Sequence, residues 1–309
     1  EQLGRRLHVL LIEGDQEQRT WADFTGPEPS TPELPPGTAH ILFSSSTTGH
    51  PKAIAHSEDS LAAYNQGVIE RYCVTGARSI FMPSPLGHST GFWHGVRMSI
   101  LTGAELVIQD RWDPRRALEL VARHRCAITV AATPFLVDLV NAEWDSPEPK
   151  LADMEVFLCG GAPVPPELIE RARQEMPNTL VASIWAMSEG GATSSLPDDP
   201  PELIANSCGK VLPGVHLEVI TEDGEIAPRG TEGEVVMRTP SLFLGYVGQD
   251  ALYRSSFTKD GFFRTGDLGV VDENGYLRIT GRLKDLIIRG GVNIAPVPIE
   301  NALAEHEKI

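Results

Sequence analysis

The first stretch whose residue types could do chemistry is a run of hydroxyl side chains that ends in a glycine and a lysine. Every residue from Ser44 to Thr48 is a serine or threonine, and Gly49 and Lys52 follow. An apolar run at residues 39–43 leads into it and predicts a short buried strand. Hydroxyls and backbone N–H groups can converge on phosphate oxygens, and a lysine adds a full positive charge. The stretch therefore predicts an anion-binding loop, with a solvated Ser/Thr loop between two strands as the alternative.

Four other stretches place polar, aromatic or small residues at predicted strand ends or turns. They are Pro83–Gly91 (PSPLGHSTG), Leu158–Pro163 (LCGGAP), Ile184–Glu189 (IWAMSE) and Arg264–Leu268 (RTGDL). Ordinary structural roles for them are a loop histidine, a tight strand-to-helix turn, a strand end with an exposed acid, and an aspartate that caps a turn. The alternative is ligand binding, because ligands bind beyond the carboxyl ends of the strands in parallel α/β sheets. Glu189 would then suit a hard cation.

The elements that position these stretches alternate between strand and helix over most of the chain. Strands are predicted at residues 52–55, 79–82, 105–108, 127–130, 156–159 and 180–186. Helices are predicted at residues 91–101, 114–124, 134–142 and 166–176, and one capped by Ser57 runs to about Tyr72. The alternation predicts an α/β fold with a doubly wound, mostly parallel sheet.

The pattern changes after about residue 196, where helical periodicity disappears. Short strands with glycine turns predict a small antiparallel β subdomain, in which RTGDL lies between two short strands. We expect residues 1–200 to form the nucleotide- and acyl-binding part of a large domain and residues 201–281 to form its β subdomain. Residues 282–309 are expected to form a hinge and the start of a mobile C-terminal α+β lobe.

Composition narrows the possible partners. The 309 residues carry a formal charge of −16, which argues against non-specific nucleic-acid binding and against adsorption on an anionic membrane. The four cysteines show no CxxC spacing, so we expect reduced thiols. No apolar run reaches membrane-helix length and no signal peptide is visible, so we expect no membrane span and a cytoplasmic location.

Several of these motifs together resemble the adenylate-forming superfamily, which comprises acyl- and aryl-CoA ligases, adenylation domains of peptide synthetases, and luciferases. The loop FSSSTTGHPKA is similar to the family's [YF]TSG[ST]TGxPKG, with Ser46 and Ala53 in place of glycines. The GGAP turn, IWAMSE in place of YGxTE, and TGD follow in the family's order, and GRLKDLIIRGGVNIAPVPIE at residues 281–300 ends the set. The ordered set covers nearly the whole chain and is identified with the acyl-CoA ligase branch.

The resemblance implies a role for each matching residue. Nucleotide contacts are implied for Ser44, Ser45, Thr47, Thr48, Gly49, Gly161, Ala162, Pro163, Trp185, Ala186, Met187, Ser188, Asp267, Ile279 and Arg282. An acyl pocket is implied for His88, Phe92, Trp93, Gly160, Gly161, Ala186 and Met187. Catalytic roles are implied for Lys52, Thr48, Glu189 and Ser188. Glu189 would also bind Mg²⁺, and Lys284 would be the hinge.

These roles imply an acyl-CoA ligase that converts a carboxylic acid and ATP to acyl-AMP and then transfers the acyl group to CoA. Ser46 and Ala186 motivate one alternative, a half-reaction enzyme that accepts preformed acyl-AMP and adenylates weakly. A second alternative is an adenylation domain that loads the pantetheine of a carrier protein. A third alternative, a luciferase-type oxygenase, is disfavoured because the sequence carries no additional motif that indicates it. The sequence does not specify the acid, although Trp93 and Met187 favour an apolar acyl group, such as a cyclic or aromatic one.

Relative to the family pattern, both ends of the sequence are short. Only 42 residues precede the phosphate loop, and no PxxxxGKxxR-type lysine motif follows residue 300. We therefore expect a fragment that lacks part of the N-terminal region and most of the C-terminal lobe.

Overall fold

The computed structural model describes residues 33–44, 52–146, 149–161 and 164–285, the short strands at 287–289 and 292–294, and residue 303. Backbone contacts divide the chain into residues 1–33 and 34–309, and every element named below belongs to the second unit. The predicted division at residues 200 and 281 stays a prediction.

The strands of the described residues are β1 (His40–Ser44), β2 (Lys52–His56), β3 (Ser79–Met82), β4 (Leu106–Ile108), β5 (Cys126–Ala132), β6 (Val156–Gly160), β7 (Leu180–Met187), β8 (Gly190–Ser194), β9 (Lys210–Val211), β10 (His216–Ile220), β11 (Gly233–Arg238), β12 (Gly245–Tyr246), β13 (Phe263–Val271), β14 (Leu277–Arg282), β15 (Ile287–Arg289) and β16 (Val292–Ile294). The helices are α1 (Glu58–Tyr72), α2 (Met98–Thr102), α3 (Pro114–His124), α4 (Thr133–Trp144), α5 (Pro166–Glu175), α6 (Pro201–Asn206) and α7 (Asp250–Ser255), with a π-helix at Thr90–Arg97.

The main sheet has seven strands in the order β4-β3-β5-β6-β7-β8-β9, and its first five strands are parallel. Alternate residues face opposite sides, as strand geometry requires. Ile128 and Val130 pack in a core with α1 and the π-helix, whereas Phe157 and Cys159 pack in a second core with α3 and α4. Helices thus cover both faces, and the predicted doubly wound, mostly parallel fold is confirmed.

Local sequence signals explain the helix starts. The Ser57 hydroxyl accepts the backbone N–H of Ser60 at 3.0 Å, and the Asp113 carboxylate accepts that of Arg116 at 2.9 Å. Each acceptor satisfies an N–H that has no partner inside the helix. Pro114 occupies the first position of α3, where its missing N–H costs nothing. Both helices begin where the sequence predicts.

The predicted helix at residues 91–101 is a π-helix followed by α2. Gly95 lies against strand β3, because a Cβ built there would be 2.9 Å from Cγ of Met82. A Cβ on Gly91 would meet the Pro85 carbonyl oxygen at 2.2 Å. The two glycines let the π-helix approach β3 and its following loop more closely than side-chain-bearing residues would. Periodicity alone does not distinguish this wider helix from an α-helix.

The remaining strands form antiparallel sheets, as predicted for the part of the fold that follows the parallel sheet. One sheet has the order β10-β11-β13-β14, and another, of three strands, has the order β1-β2-β12. The prediction that RTGDL lies between two strands is wrong, since these residues fall inside β13. Helices α6 and α7 were not predicted, because six residues are too few to show helical periodicity.

One arginine joins α1 to the end of the main sheet. The guanidinium of Arg71 donates to the carbonyl oxygens of Ser194, Lys210 and Val211 at 2.6, 2.7 and 2.5 Å. Its planar fork of donors suits such multiple contacts. These bonds tie α1 to strands β8 and β9.

Two expectations about chemistry and location can be compared with the structure. All four cysteines are free, as expected. Among the described helices, none combines the length and the apolar character that crossing a bilayer demands.

Candidate functional site

A short segment at residues 241–247 crosses between strand β2 and the turn that follows β7. The Phe243 N–H donates to the Glu189 carbonyl oxygen at 2.8 Å, and the Leu244 N–H donates to the Ala55 carbonyl oxygen at 2.7 Å. Gly190 permits this approach, because its φ is +123° and a Cβ there would lie 2.3 Å from the Ser241 carbonyl oxygen. The segment therefore fixes β2, which follows the predicted phosphate loop, beside Glu189.

Three side chains meet at this crossing, and we call them the Tyr246 cluster: Lys52, Tyr246 and Glu189. The Lys52 ammonium lies 4.6 Å from the Tyr246 ring centroid, and the Tyr246 hydroxyl donates to Oε1 of Glu189 at 2.9 Å. Burial, with the adjacent Glu189 charge second, raises the pKa of Tyr246 well above its usual range. The hydroxyl therefore stays protonated and remains a donor.

Ser188, the residue before Glu189, is held in place by a hydrogen bond from the buried side chain of His56. Nε2 of His56 donates to the Ser188 carbonyl oxygen at 2.7 Å, and Nδ1 lies 3.1 Å from the Ser60 hydroxyl. Burial lowers the pKa of His56 to about 4, and the Ser188 bond opposes this only in part. The imidazole is therefore neutral near pH 7, and its bond to Ser188 fixes the end of β7.

A second group, the Asp267 cluster, consists of Trp185, Asp267 and Arg282. The Trp185 indole N–H donates to Oδ2 of Asp267 at 2.8 Å, and Nε of Arg282 lies 2.9 Å from Oδ1. Burial raises the pKa of Asp267, whereas its bonds to Trp185 and Arg282 act in the opposite direction. Each carboxylate oxygen thus already has one partner and keeps a further lone pair free.

The backbone around Asp267 explains why this carboxylate points toward Trp185. Asp267 lies opposite Arg282 in the β13–β14 register, next to a bulge. Gly266 has a φ of +74°, which favours glycine, and its N–H donates to Glu234 at 3.3 Å. Thr265 donates to the Val235 carbonyl oxygen at 2.6 Å and accepts from the Asp267 N–H at 3.1 Å. The TGD residues therefore distort strand β13 locally, and this distortion directs the Asp267 carboxylate toward Trp185.

The predicted acyl-pocket residues fall into two places. Gly160 ends β6 and Gly161 follows it, and Ala186 and Met187 end the neighbouring β7. The others lie on or beside the π-helix: His88 is exposed, Phe92 stacks on His40 with 4.5 Å between ring centroids, and Trp93 is only 2% exposed. Trp93 packs against His56 and Tyr64 in the core. Its role in a pocket stays a prediction.

Other predicted residues are located as follows. Ile279, on β14, packs with Trp185 against the core of the β subdomain, and Ser44 ends β1. Lys284 is exposed in the turn directly after β14. Six predicted contacts lie outside the described residues: Ser45, Thr47, Thr48, Gly49, Ala162 and Pro163.

The donor set near Glu189 fits only one of the ways in which proteins bind magnesium. No group of three or more histidine, cysteine, aspartate or glutamate side chains suited to a metal occurs within the described residues. Magnesium is commonly bound through one or two carboxylates together with substrate phosphates and water. The single Glu189 carboxylate fits that mode and not an all-protein site.

Sequence reasoning missed Tyr246 and His56. Tyr246 lies 57 residues after Glu189, and His56 lies 132 residues before Ser188. No local spacing relates either pair, because both contacts depend on how the segment at residues 241–247 and strand β2 cross the end of β7.

A family profile described as "AMP-binding enzyme" matches residues 3–247. The chain belongs to this family. This chain is similar to the medium-chain fatty-acid–CoA ligase of Escherichia coli (strain K12), with 35% identity over 277 residues, which cover 88% of this chain and 48% of that protein. The predicted membership of the adenylate-forming superfamily, in its acyl-CoA ligase branch, is confirmed.

Solved structures agree with this assignment. ATP-bound MatB from Rhodopseudomonas palustris has a TM-score of 0.78 at 29% identity, covering 89% of this chain and 54% of that one. An O-succinylbenzoate coenzyme A synthetase (MenE) from Bacillus subtilis, in complex with AMP, has a TM-score of 0.79 at 26% identity, covering 89% and 55%. The chain spans about half the length of the relatives that it matches.

Proposed function

We propose that this AMP-binding enzyme is an acid–thiol ligase that forms acyl-CoA from a carboxylic acid, ATP and CoA. The observation that carries the proposal is the pair of charged clusters at the end of β7. Glu189 lies four residues after Trp185, so their backbones are at most about 14 Å apart. A nucleoside triphosphate can span this distance, with its ribose at the Asp267 cluster and its phosphates at the Tyr246 cluster.

In the first half-reaction, a carboxylate oxygen of the acid attacks the α-phosphorus of ATP. The bond from that phosphorus to the bridging oxygen of pyrophosphate breaks, and acyl-AMP forms. Asp267 accepts hydrogen bonds from the ribose hydroxyls, Trp185 packs on the adenine, and Lys52 balances phosphate charge. These groups act by position and charge, as in phosphoryl transfer generally.

The same half-reaction, the formation of acyl-AMP, is proposed to require magnesium. When bound, the ion neutralises charge on the phosphate oxygens and so favours departure of pyrophosphate. Glu189 is the residue that would hold it, and Ser188 precedes Glu189 at the point where the α-phosphate is proposed to lie.

In the second half-reaction, the CoA thiolate attacks the acyl carbonyl carbon, and the bond to AMP breaks. Lys284 is the proposed hinge about which a C-terminal lobe rotates to admit CoA. Its exposed position in the turn after β14 supports this role, since hinges are commonly element-terminal residues that absorb a backbone rotation.

The acid is proposed to carry an apolar acyl group. The small residues at the ends of β6 and β7 leave room beside the proposed α-phosphate, and half-buried Phe92 offers an apolar surface. The name of the E. coli relative, a medium-chain fatty-acid ligase, favours the same class.

The test, on the full-length protein, is a screen of short, medium, long and aromatic carboxylic acids with ATP and CoA, in which AMP, pyrophosphate and thioester are measured separately. We expect the three products in equal amounts with at least one apolar acid, and much less of each with an Asp267→Asn variant at the same ATP concentration. No AMP and no pyrophosphate with any acid would contradict the proposal.

Two other outcomes would identify the alternatives. Thioester formation from synthetic acyl-AMP and CoA, without acid-dependent exchange of labelled pyrophosphate into ATP, would indicate the half-reaction enzyme. Exchange with an acid, but transfer only to a carrier-protein pantetheine and not to CoA, would indicate the loading domain.

A further inference from the structure

Tyr246 contacts both charged residues of its cluster. It is 3% exposed, its hydroxyl donates to Oε1 of Glu189 at 2.9 Å, and its ring lies beneath the Lys52 ammonium at 4.6 Å. Among the described residues, no other group hydrogen-bonds the Glu189 carboxylate, and Lys52 forms no ion pair there. The tyrosine thus lies between a cation and an anion that do not pair with each other.

The position of the tyrosine does not depend on its hydroxyl. Strand β12 pairs with β2, with Tyr246 opposite Ile54, and the Val247 N–H donates to the Ala53 carbonyl oxygen at 2.8 Å. The ring also packs on Phe243 with 4.7 Å between centroids. Removal of the hydroxyl should therefore leave the ring in place, which separates a role of the hydroxyl from a role in packing.

The electrostatic arrangement keeps both charges available to a ligand. A direct ion pair between Lys52 and Glu189 would neutralise the cation and occupy the carboxylate. Instead, the aromatic face attracts the ammonium without cancelling its charge, and the hydroxyl occupies only one carboxylate oxygen. The lysine can then meet phosphate oxygens while the second oxygen, Oε2 of Glu189, can meet a cation bound to those phosphates.

We propose that Tyr246 is a positioning residue that orients the Glu189 carboxylate toward a phosphate-bound magnesium ion and holds Lys52 apart from it. The inference rests on the proposed function, because it requires ATP to bind with its phosphates at this cluster. Partners that orient a metal-binding side chain typically change metal affinity or activity about 10- to 100-fold when they are removed.

The experiment measures nucleotide binding by calorimetry, so it needs no turnover. Tyr246→Phe removes the bond to Glu189 and keeps the ring under Lys52, and Tyr246→Leu removes both. Tyr253→Phe is the matched control, because its ring packs on the same Phe243, with 5.2 Å between centroids, and it also loses one hydroxyl. Each variant is titrated with ATP plus Mg²⁺, with ATP plus EDTA, and with AMP.

We expect Tyr246→Phe to lower the affinity for ATP plus Mg²⁺ about tenfold or more, while AMP affinity and the unfolding temperature match those of Tyr253→Phe. Tyr246→Leu should lose a further factor of about three in both ATP titrations, because the lysine also loses its ring contact. In a Glu189→Gln background, the effect of Tyr246→Phe on magnesium-dependent binding should disappear, since the tyrosine acts through the carboxylate.

Three results would overturn the inference. Equal ATP binding by Tyr246→Phe and Tyr253→Phe would make Tyr246 a packing residue only. Equal losses for AMP and ATP would indicate a general distortion. If the wild-type protein bound no ATP with Mg²⁺, the proposed function and this inference would both fail, whereas the first two results leave the proposed function intact.

Discussion

The Asp267 cluster and the Tyr246 cluster differ in whether their charged side chains pair with each other. At the first, Asp267 is buried, and its two oxygens are bonded by Trp185 and by Arg282. At the second, Lys52 lies over an aromatic ring, and the described residues offer it no carboxylate. The charges of one cluster are therefore paired before any ligand arrives, whereas the other holds a cation, Lys52, and an anion, Glu189, that do not pair with each other.

This difference indicates how a nucleotide would be recognised. A preformed, balanced cluster is suited to the neutral hydroxyls of a ribose, which every adenine nucleotide carries. A cation that forms no ion pair within the described residues is suited to phosphates, and its contribution should grow with their number. Variants at the Asp267 cluster should therefore affect AMP and ATP alike, and variants at the Tyr246 cluster should affect ATP selectively.

The largest effect is expected from Asp267→Ala. It removes the proposed acceptor of both ribose hydroxyls, and charged hydrogen bonds contribute about 1.5–3 kcal/mol each, so AMP and ATP should each bind at least about a hundredfold more weakly. Calorimetry measures both. The nucleotide affinity of the isosteric Asp267→Asn variant should lie between those of the wild type and Asp267→Ala, since it keeps the acceptor oxygen for Trp185. Unchanged AMP affinity in Asp267→Ala would remove this residue from the site.

His56, which lies next to the Tyr246 cluster, and Asp267 should affect the pH dependence of stability with opposite sign. His56, under Ser188, has its pKa lowered from 6.5 to about 4 in the folded protein. As the pH falls, the unfolded chain takes up the proton first, so stability that is fully present above about pH 6.5 is lost down to about pH 4. The loss is about 3 kcal/mol. Asp267 acts in the opposite direction, because its pKa in the folded protein is raised above 3.8. Its protonation therefore stabilises the folded state as the pH falls from that raised pKa toward 3.8.

Urea unfolding between pH 4 and 7 measures the histidine contribution. A His56→Gln variant should show a flatter decline of stability with acid than the wild type. His88→Asn is the control, because that ring is exposed and its removal should leave the wild-type slope. Parallel declines in wild type and His56→Gln would show that His56 does not titrate in this range.

The third effect is selective for ATP. Lys52→Met should weaken ATP binding by about 2 kcal/mol, the typical size of a charge-assisted hydrogen bond, and leave AMP binding unchanged. Lys210→Met provides a matched control, because Lys210 lies 4.5 Å over the ring of Tyr276, outside both clusters. Equal losses for AMP and ATP would contradict the assignment of Lys52 to the phosphates.

The smallest effect is expected from Trp185→Phe. An aromatic ring remains at the position proposed to pack on adenine, and Asp267 loses one of its two bonds, so AMP affinity should fall by about 1 kcal/mol. Trp112→Phe loses a comparable indole bond, to Asp138 at 2.7 Å, and should bind AMP normally. A loss as large as that of Asp267→Ala would mean that the indole N–H, and not the ring, is the main contribution of Trp185.

Most of the fold could be predicted because its signals are local. The predicted helix at residues 114–124 has the same bounds in the structure, where Pro114 begins it and Asp113 caps it. The strands at the centre of the sheet are short apolar runs, which stand out from their neighbours. The π-helix could not be predicted, because its geometry depends on how closely Gly91 and Gly95 approach strand β3 and the loop after it.

The candidate site was predictable only as separate pieces. Trp185, Glu189 and Asp267 were recognised by motif, yet the bond between Trp185 and Asp267 joins residues 82 positions apart. Tyr246 belongs to no motif that carries charge, and its role depends on β12 pairing with β2. Sequence patterns identify the groups that could bind a ligand, whereas tertiary pairing decides which of them touch.

The contacts of Arg71 have a consequence for solubility. Strand β9 is an edge of the seven-stranded sheet, and an edge with free carbonyl groups can accept a strand from another molecule. Two carbonyl oxygens of β9, those of Lys210 and Val211, already accept from the Arg71 guanidinium. The helix thus supplies a cap for the edge of the sheet, and intermolecular strand addition would first have to displace an arginine.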